Sequence, residues 1–367
     1  MKFCNVEYLN SIVNVSNSIL KYFNVDTFHE SLSDLDKILE INNSKNVVII
    51  LYDGMGYNLI NKYLPKNSFL RKNMLRSISS VVPATTTAST TSMLSGLYPC
   101  EHGWLGWDLY IPPIDKIVTM FKSTYKDSDV KVKEEWQKYY DYKTIVDLIN
   151  EKSKYSAKIL YPPIVEGGEH YTDIDDMNSK IIEECNKEGK KFIYAYYENP
   201  DAFLHKYGGK DIVINRTFKL INDKTEELCS KLTDTTVIVI ADHGHIDTKR
   251  IILKDYPDIY NLLDGSCYIE SRLCAFKVKD KEKFETLFNK YFGNDFILKT
   301  KEEVLREHLF GYGKYHEFFE KSLPDYIAIG VKDKYFTYDD TAPIMLSNHA
   351  GMCEDEMRIP LIVINKN

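Results

Sequence analysis

The chain has 367 residues, of which 28% are charged, with a formal net charge of -7 and a pI near 5.8. This length can bury a large core, either as one big domain or as a core with a smaller domain attached. The acidic balance excludes a protein that binds a nucleic-acid backbone through a basic face, so we expect no nucleic-acid duplex as a partner.

The N-terminal segment and the cysteines indicate a compartment. The first twenty residues contain no continuous apolar segment followed by a small-residue cleavage site, so we expect no signal peptide. No stretch reaches the roughly 20 apolar residues that span a bilayer, so no membrane association is expected. The seven cysteines are dispersed and odd in number, which is typical of reduced thiols in a cytoplasmic protein. The abundance of Lys, Ile, Asn and Tyr resembles the product of an AT-rich bacterial genome.

Four short, unbroken apolar runs predict strands that are buried on both faces. These runs lie at 46–52, 192–197, 236–241 and 360–365. Helical patterns lie between them, notably at 174–188 and 211–232. Strands that alternate with helices predict an α/β fold with a doubly wound, mostly parallel sheet flanked by helices.

Two segments interrupt this alternation. Residues 104–140 are rich in Trp, Tyr and Pro, and we expect them to run over the face that carries the active site. Residues 255–325 read as strand, helix, strand and helix, which predicts a small α+β insertion. The catalytic core would then consist of residues 1–254 and 326–367, and the run at 326–331 would return the chain to the core sheet.

Aspartate and histidine residues directly follow two of the predicted strands. Asp53 directly follows the first apolar run, and Asp242 and His243 follow the third. Open α/β sheets bind ligands at the carboxyl ends of their strands. An alternative for Asp53 is a cap on the next helix, and the Asp-His pair could be structural without any metal.

Asp201 and His205 are four residues apart behind Pro200. If this proline begins a helix, both side chains project from one helical face. The alternative is an ordinary surface pair. His349 lies in a loop before the last strand, where a lone histidine is usually only solvent-exposed.

Considered together, these six residues indicate a metal site. Six N/O donors divide into two sets of three and leave coordination positions open for a substrate. Mixed carboxylate and imidazole donors suit Zn, Mn or Fe, so we predict two divalent metal ions. His245 is close enough in sequence to contact a ligand.

A threonine cluster at 81–89 (VVPATTTAS) precedes a short predicted helix that Gly96 terminates. The free N–H groups and dipole at the start of that helix would face an anion. A hydroxyl beside two divalent cations is an activated nucleophile. The alternative is that these threonines and serines only cap the helix.

The motifs YDGMG, PATTTAST…SGLYPCEHG, YENPDAFLHKYG, ADHGH and NHAGM resemble those of the alkaline phosphatase superfamily. More narrowly, they are similar to the type I phosphodiesterase/nucleotide pyrophosphatase branch. The resemblance covers residues 46–250 and 326–365 and implies an alkaline-phosphatase-like core. It also implies that Thr86 is the nucleophile.

The resemblance further implies a ligand assignment. One metal would be held by Asp53, Thr86, Asp242 and His243. The other would be held by Asp201, His205 and His349. Zinc is the usual metal in that branch, and manganese or iron also suits the donors.

Two positions depart from the branch, and one substrate contact is retained. Ser89 replaces an asparagine that holds a phosphoryl oxygen three residues after the nucleophile. Thr87 replaces an aromatic residue that packs on a nucleobase, whereas the companion aromatic is present as Tyr196. We therefore assign Ser89 and Tyr196 as substrate-binding residues of a hydrolase for small phosphate esters or nucleotide-like molecules, acting through a phospho-threonine.

Alternatives within the superfamily are a phosphomonoesterase, a phosphonate hydrolase or a phosphomutase. A monoester dianion favours an additional cationic clamp, and a mutase needs dense Arg and Lys around its pocket. Only Arg71 and Arg76 lie close to Thr86 in sequence. Scarce arginine therefore favours diesters or pyrophosphates, unless Arg272 of the insertion reaches the site.

Overall fold

The computed structural model describes residues 2–133 and 135–366. In chain order its strands are β1 (Asn46–Tyr52), β2 (Met74–Ser79), β3 (Asp108–Ile111), β4 (Lys116–Thr119), β5 (Thr124–Tyr125), β6 (Ser156–Tyr161), β7 (Glu169–His170), β8 (Lys191–Tyr197), β9 (Thr235–Ile240), β10 (Ile246–Asp247), β11 (Lys249–Ile252), β12 (Tyr268–Ile269), β13 (Leu273–Phe276), β14 (Phe296–Thr300), β15 (Tyr326–Gly330), β16 (Lys334–Thr337), β17 (Ser347–Asn348) and β18 (Arg358–Lys366).

The helices connect and cover these strands. In chain order they are α1 (Ile12–Tyr22), α2 (Ser33–Asn42), α3 (Tyr57–Tyr63), α4 (Phe69–Lys72), α5 (Thr86–Ser95), α6 (Pro99–His102), α7 (Ile145–Lys152), α8 (Ile174–Asn186), α9 (Asp201–Tyr207), α10 (Ile212–Lys231), α11 (Pro257–Tyr260), α12 (Lys281–Phe292), α13 (Lys301–Arg306), α14 (Phe319–Ser322) and α15 (Glu354–Met357). Short 3-10 helices lie at Pro112–Ile114, Trp136–Tyr139 and Leu253–Asp255.

The first sheet has seven strands in the order β2-β18-β9-β1-β8-β6-β7. Strand β1 pairs in parallel with both β8 and β9, whereas β18 runs antiparallel to its two neighbours. Every residue of β1 and β9 is buried, because helices cover both faces of a parallel sheet. The predicted doubly wound, mostly parallel sheet is confirmed.

The second sheet is antiparallel, in the order β14-β15-β13-β12-β3-β4-β5. It corrects two expectations. The run at 326–331 does not return to the core sheet, because β15 pairs with β13 and β14. The segment 104–140 contributes β3, β4 and β5 to this sheet, instead of only passing over the site.

The two faces of the second sheet bury different partners. Along β13, Leu273 and Ala275 join the main core, whereas Cys274 and Phe276 join a separate cluster with the phenylalanines of α12. This alternation follows from the period of two in a strand. The sheet combines strands from both predicted units, 1–254 with 326–367 and 255–325, and the division of the chain into these units stays a prediction.

Within the described part of the chain, no helix is both long and apolar enough to cross a membrane.

Candidate metal centre

Adjacent strands of the first sheet deliver the predicted carboxylate ligands. Asp53 follows β1, and Asp242 follows the neighbouring strand β9. Asp201 begins α9 shortly after β8, and its backbone N–H donates to the carbonyl of Asp53. Gly54 (φ 70°) makes this approach possible, since a Cβ there would lie 3.0 Å from the Cβ of Asp201.

One group of donors surrounds Asp201. The Nε2 atoms of three histidines lie at different distances from its Oδ1: 2.5 Å for His245, 3.3 Å for His205 and 3.7 Å for His349. All four residues offer ligand atoms within 4.8 Å of one another. The structure therefore brings together residues that are up to 148 positions apart in sequence (349 − 201).

A second group contains Asp53, Asp201 and His243, again with ligand atoms within 4.8 Å of one another. His243 Nε2 lies 3.2 Å from Asp53 Oδ1 and 3.5 Å from Asp242 Oδ2. Asp201 thus stands between the two groups, and Asp242 borders the second. All six predicted carboxylate and imidazole ligands converge at this edge of the sheet.

Backbone carbonyls fix the orientation of the histidines. Each Nδ1 atom lies beside a carbonyl oxygen: His205 beside Ser347 at 2.9 Å, His243 beside Gly244 at 3.1 Å and His349 beside Ala84 at 3.2 Å. A ring that donates from Nδ1 presents an unprotonated Nε2. This is the arrangement by which outer hydrogen bonds prepare histidines for a metal.

The buried carboxylates lack compensating charge. Burial, followed by repulsion from Asp201, raises the pKa of Asp53 well above its usual range. Burial and Asp53 likewise raise the pKa of Asp242. Asp242 Oδ2 is buried and has no hydrogen-bond partner among the described residues. These features fit divalent cations, which would neutralise the carboxylates and use the orphaned oxygen.

Two of the imidazoles are in the form that binds metal, whereas the Asp201 carboxylate raises the pKa of His205 against the effect of burial. Burial lowers the pKa of His245 to about 3. Burial, followed by repulsion from His243, also lowers the pKa of His349 well below its usual range. Both rings are therefore neutral near pH 7, as ligation requires.

The hydroxyls of the three consecutive threonines have different surroundings. Thr86 Oγ1 lies 3.2 Å from His243 Nε2 and 3.3 and 3.4 Å from the two carboxylate oxygens of Asp53. Thr85 instead donates to Glu270 at 2.6 Å, and Thr87 is fully buried. Of the three hydroxyls, only that of Thr86 contacts the predicted ligands.

The two predicted substrate contacts have other partners. Ser89 is fully buried and its hydroxyl bonds to Ser80 at 2.9 Å, and its contact with a phosphoryl oxygen stays a prediction. Tyr196 is also buried, and its hydroxyl donates to Asp53 Oδ2. The hydroxyl of this tyrosine therefore orients a predicted metal ligand, and the packing of its ring on a nucleobase stays a prediction.

Arg272 does not reach the site as a phosphate clamp. It is fully buried and forms a two-pronged ion pair with Glu356 at 2.7 and 2.8 Å. The Glu356 carboxylate also accepts from the backbone N–H of Gly351, and its carbonyl accepts from that of Gly244. The pair therefore connects the loops that follow His349 and His243.

Sequence reasoning missed two residues near the centre. His245 was expected only to contact a ligand, and its Nε2 lies within the first donor group. Its spacing of two from His243 was the available signal. Glu270 accepts from Thr85 and from the Trp107 backbone, and no local pattern marked it.

The mostly parallel sheet, with its acidic and imidazole groups at the strand ends, is the arrangement that the resemblance to the alkaline phosphatase superfamily implied. The sequence profile of type I phosphodiesterase/nucleotide pyrophosphatase matches residues 47–352. The chain belongs to this family, as the motifs indicated.

Solved structures share the fold. A murine ectonucleotide pyrophosphatase/phosphodiesterase 5, solved as an inactive variant in complex with AMP, has 19% identity and a TM-score of 0.66, covering 86% of this chain and 87% of that one. The human protein has 17% identity with the same TM-score and coverage. Phosphonoacetate hydrolase from Sinorhizobium meliloti, in complex with phosphonoacetate, has 13% identity and a TM-score of 0.62, covering 86% and 89%.

No curated protein sequence matches the chain significantly. Membership of the family makes the protein a hydrolase that acts on phosphoester bonds, and metal dependence is a property of this family. The sequence prediction of a metal-dependent enzyme of this class is confirmed.

Proposed function

We propose that the protein is a two-metal phosphodiesterase or nucleotide pyrophosphatase that uses Thr86 as its nucleophile. The observation that carries this proposal is the position of Thr86 Oγ1, 3.2 Å from His243 Nε2 and 3.3 Å from Asp53 Oδ2. The hydroxyl stands at the start of α5, where backbone N–H groups favour an anion.

The proposed ligand sets follow the two donor groups. Asp53, Asp242 and His243, together with Thr86, would hold one cation. Asp201, His205 and His349 would hold the other, with His245 hydrogen-bonded to Asp201. When bound, divalent cations supply Lewis-acid stabilisation of negative charge at the reacting phosphoryl group. We propose zinc, because carboxylate and imidazole donors suit it.

The chain's own residues then divide the reaction into two steps. Thr86 Oγ1 passes its proton to the polar cluster around Asp53 and His243 and attacks phosphorus. The bond from phosphorus to the leaving oxygen breaks, and the leaving group takes up a proton and departs as the alcohol. The resulting phospho-threonine keeps the second ester group; water next attacks its phosphorus, which releases a phosphomonoester and restores the free hydroxyl. Such a covalent intermediate replaces one difficult step with two easier ones.

The arginines support a diester or pyrophosphate substrate. Six of the seven bond to groups away from the predicted ligands, and Arg216 is exposed on α10. The six are Arg71, Arg76, Arg250, Arg272, Arg306 and Arg358. Without a guanidinium clamp, a phosphomonoester dianion and a mutase reaction both lack a cation that they favour.

A substrate panel tests the proposal. The protein is stripped with a chelator, reloaded with Zn²⁺ or Mn²⁺, and assayed with bis(4-nitrophenyl) phosphate, 4-nitrophenyl phosphate, an aryl phosphonate and a dinucleotide pyrophosphate. We expect metal-dependent hydrolysis of the diester and the pyrophosphate. By mass spectrometry, acid-quenched protein should carry on Thr86 a 4-nitrophenyl phosphoryl group from the diester or a nucleotidyl group from the pyrophosphate. Stronger turnover of the monoester or the phosphonate would favour those alternatives.

The proposed partner is a small phosphate ester or nucleotide-like molecule, without a nucleic-acid duplex or a membrane. We also keep cytoplasmic placement as a proposal, supported by seven cysteines that are all free thiols. The substrate panel described above does not depend on where the protein is located.

A further inference from the structure

Glu270 stands beside the proposed nucleophile although it comes from the second sheet. Its Oε1 accepts hydrogen bonds from Thr85 Oγ1 at 2.6 Å and from the Trp107 backbone N–H at 2.8 Å. Thr85 directly precedes Thr86, and consecutive Cα atoms lie about 3.8 Å apart. The path from the carboxylate through the Thr85 side chain and the two Cα atoms to the Thr86 hydroxyl is about 12 Å long. The carboxylate therefore lies no farther than this from the hydroxyl.

The backbone holds Glu270 in this position. Ile269, which precedes it, has φ 72°, an uncommon conformation that costs free energy for a β-branched residue. Gly106 packs against this turn so closely that a Cβ would lie 2.7 Å from the Ile269 carbonyl oxygen. The turns at 106–107 and 269–270 are thus locked together, and the carboxylate has a fixed place.

The charge of Glu270 has no cationic partner. The groups that act on it are Thr85, the Trp107 N–H, Asp108 and His243, and within the described residues no Lys or Arg forms an ion pair with it. The side chain is partly exposed, and its second oxygen accepts no hydrogen bond from the described chain. An unpaired carboxylate beside an anion-binding site is unfavourable for stability, so a contribution to function would account for it.

We propose that Glu270 is a specificity-determining residue, whose fixed negative charge disfavours phosphomonoester dianions and thereby directs the enzyme to diesters. This inference rests on the proposed function, since it concerns the substrate class of the same site. Monoesters lose their second proton near about pH 6, whereas diesters keep a single charge. At about 10 Å and an effective dielectric constant of about 20, one additional charge changes relative affinity by about tenfold.

The test uses Glu270→Gln in the zinc-loaded enzyme. Glutamine can still accept from Thr85 and Trp107, so this change removes charge and keeps shape. The assay is run at about pH 8.5, above the pKa of about 7 to which burial raises this carboxyl. We expect the ratio of kcat/KM for 4-nitrophenyl phosphate to kcat/KM for bis(4-nitrophenyl) phosphate to rise about tenfold, because the diester carries one negative charge fewer than the monoester. Asp264→Asn, which changes an exposed carboxylate in the loop before β12, should leave the ratio unchanged.

A binding measurement separates this inference from the proposed function. Calorimetric titration with inorganic phosphate should show binding to Glu270→Gln that is at least about tenfold tighter than to wild type. Glu270→Ala, which also removes the charge, should shift both readouts in the same direction. Equal changes for monoester and diester, with unchanged phosphate affinity, would overturn the role of Glu270. Wild-type enzyme that hydrolyses neither ester would overturn the proposed function, and the phosphate titration would still test Glu270.

Discussion

The hydroxyl of Tyr196 donates a hydrogen bond to Asp53 Oδ2, so the residue predicted to contact substrate contacts a predicted metal ligand. Removing such an outer hydrogen bond commonly weakens metal binding by about 10–100-fold. We expect Tyr196→Phe to require more zinc for half-maximal activity and to recover near-normal turnover at saturating zinc. Zinc titration measures this effect.

KM for aryl esters should stay unchanged in the same variant, because the phenyl ring remains. Tyr196→Ala removes the ring and tests the predicted substrate contact: at saturating zinc, a KM that rises more for aryl or nucleotide esters than for small alkyl esters would support that contact.

Thr86→Ala should lower kcat for diesters by about a thousandfold or more, because it removes the attacking oxygen. Metal content should persist, since the carboxylate and imidazole ligands remain. Thr87→Ala is the matched control: its hydroxyl is buried without a partner, and its kcat should change far less. If quenched-flow experiments trap the phosphoryl group on Thr87, or on no residue, the assignment of Thr86 as nucleophile is wrong.

Asp242→Asn should stabilise the metal-free protein. Burial, followed by repulsion from Asp53, raises the pKa of Asp242, so its ionised form destabilises the fold when no cation is present. We expect the Tm of the chelated variant to exceed that of chelated wild type by about 2 °C or more. Added zinc should raise the Tm of wild type more than that of the variant, as calorimetry can measure.

Glu270 gives stability a dependence on pH. Because burial raises its folded pKa to about 7, above its usual value, folding favours the protonated form. Stability should fall as pH rises from about 4.5 toward 7, and the loss should persist above that range. The Tm of Glu270→Gln relative to wild type should therefore be higher at about pH 8.5 than at about pH 5. A constant difference between the two would argue against an ionised Glu270.

Arg272→Met should destabilise the protein by about 3–5 kcal/mol, because it leaves the Glu356 carboxylate buried without its cation. Urea unfolding measures this change. Arg358→Met is the control, since Arg358 pairs with the half-exposed Glu7 and such pairs contribute about 1 kcal/mol or less. Zinc affinity should also fall in Arg272→Met, because Glu356 holds the loops next to His243 and His349.

Ligand positions could be predicted because they follow local patterns. Asp53 and the Asp242–His243 pair each terminate an apolar strand, and parallel strands bring such ends to one edge. The resemblance to the family then assigned Asp201, His205 and His349 to one metal. These residues do converge in the structure, although their binding of metal remains a proposal.

Side-chain direction and sheet membership could not be predicted in the same way. Strand β15 in the second sheet is buried along its whole length. Its apolar sequence therefore looks like that of a central strand in a parallel sheet. The hydroxyl of Tyr196 and the carboxylate of Glu270 find partners 143 and 185 residues away. Such contacts depend on how the two sheets pack, which no local pattern encodes.

The last strand, β18, lies inside the first sheet between β2 and β9. A chain emerging from the ribosome therefore has unpaired edges on β2 and β9 until β18 has been made. Exposed edges invite pairing with other chains. A chain released before β18 has been made should therefore be prone to aggregate. We expect chaperones that bind nascent chains to contact the unpaired edges of β2 and β9.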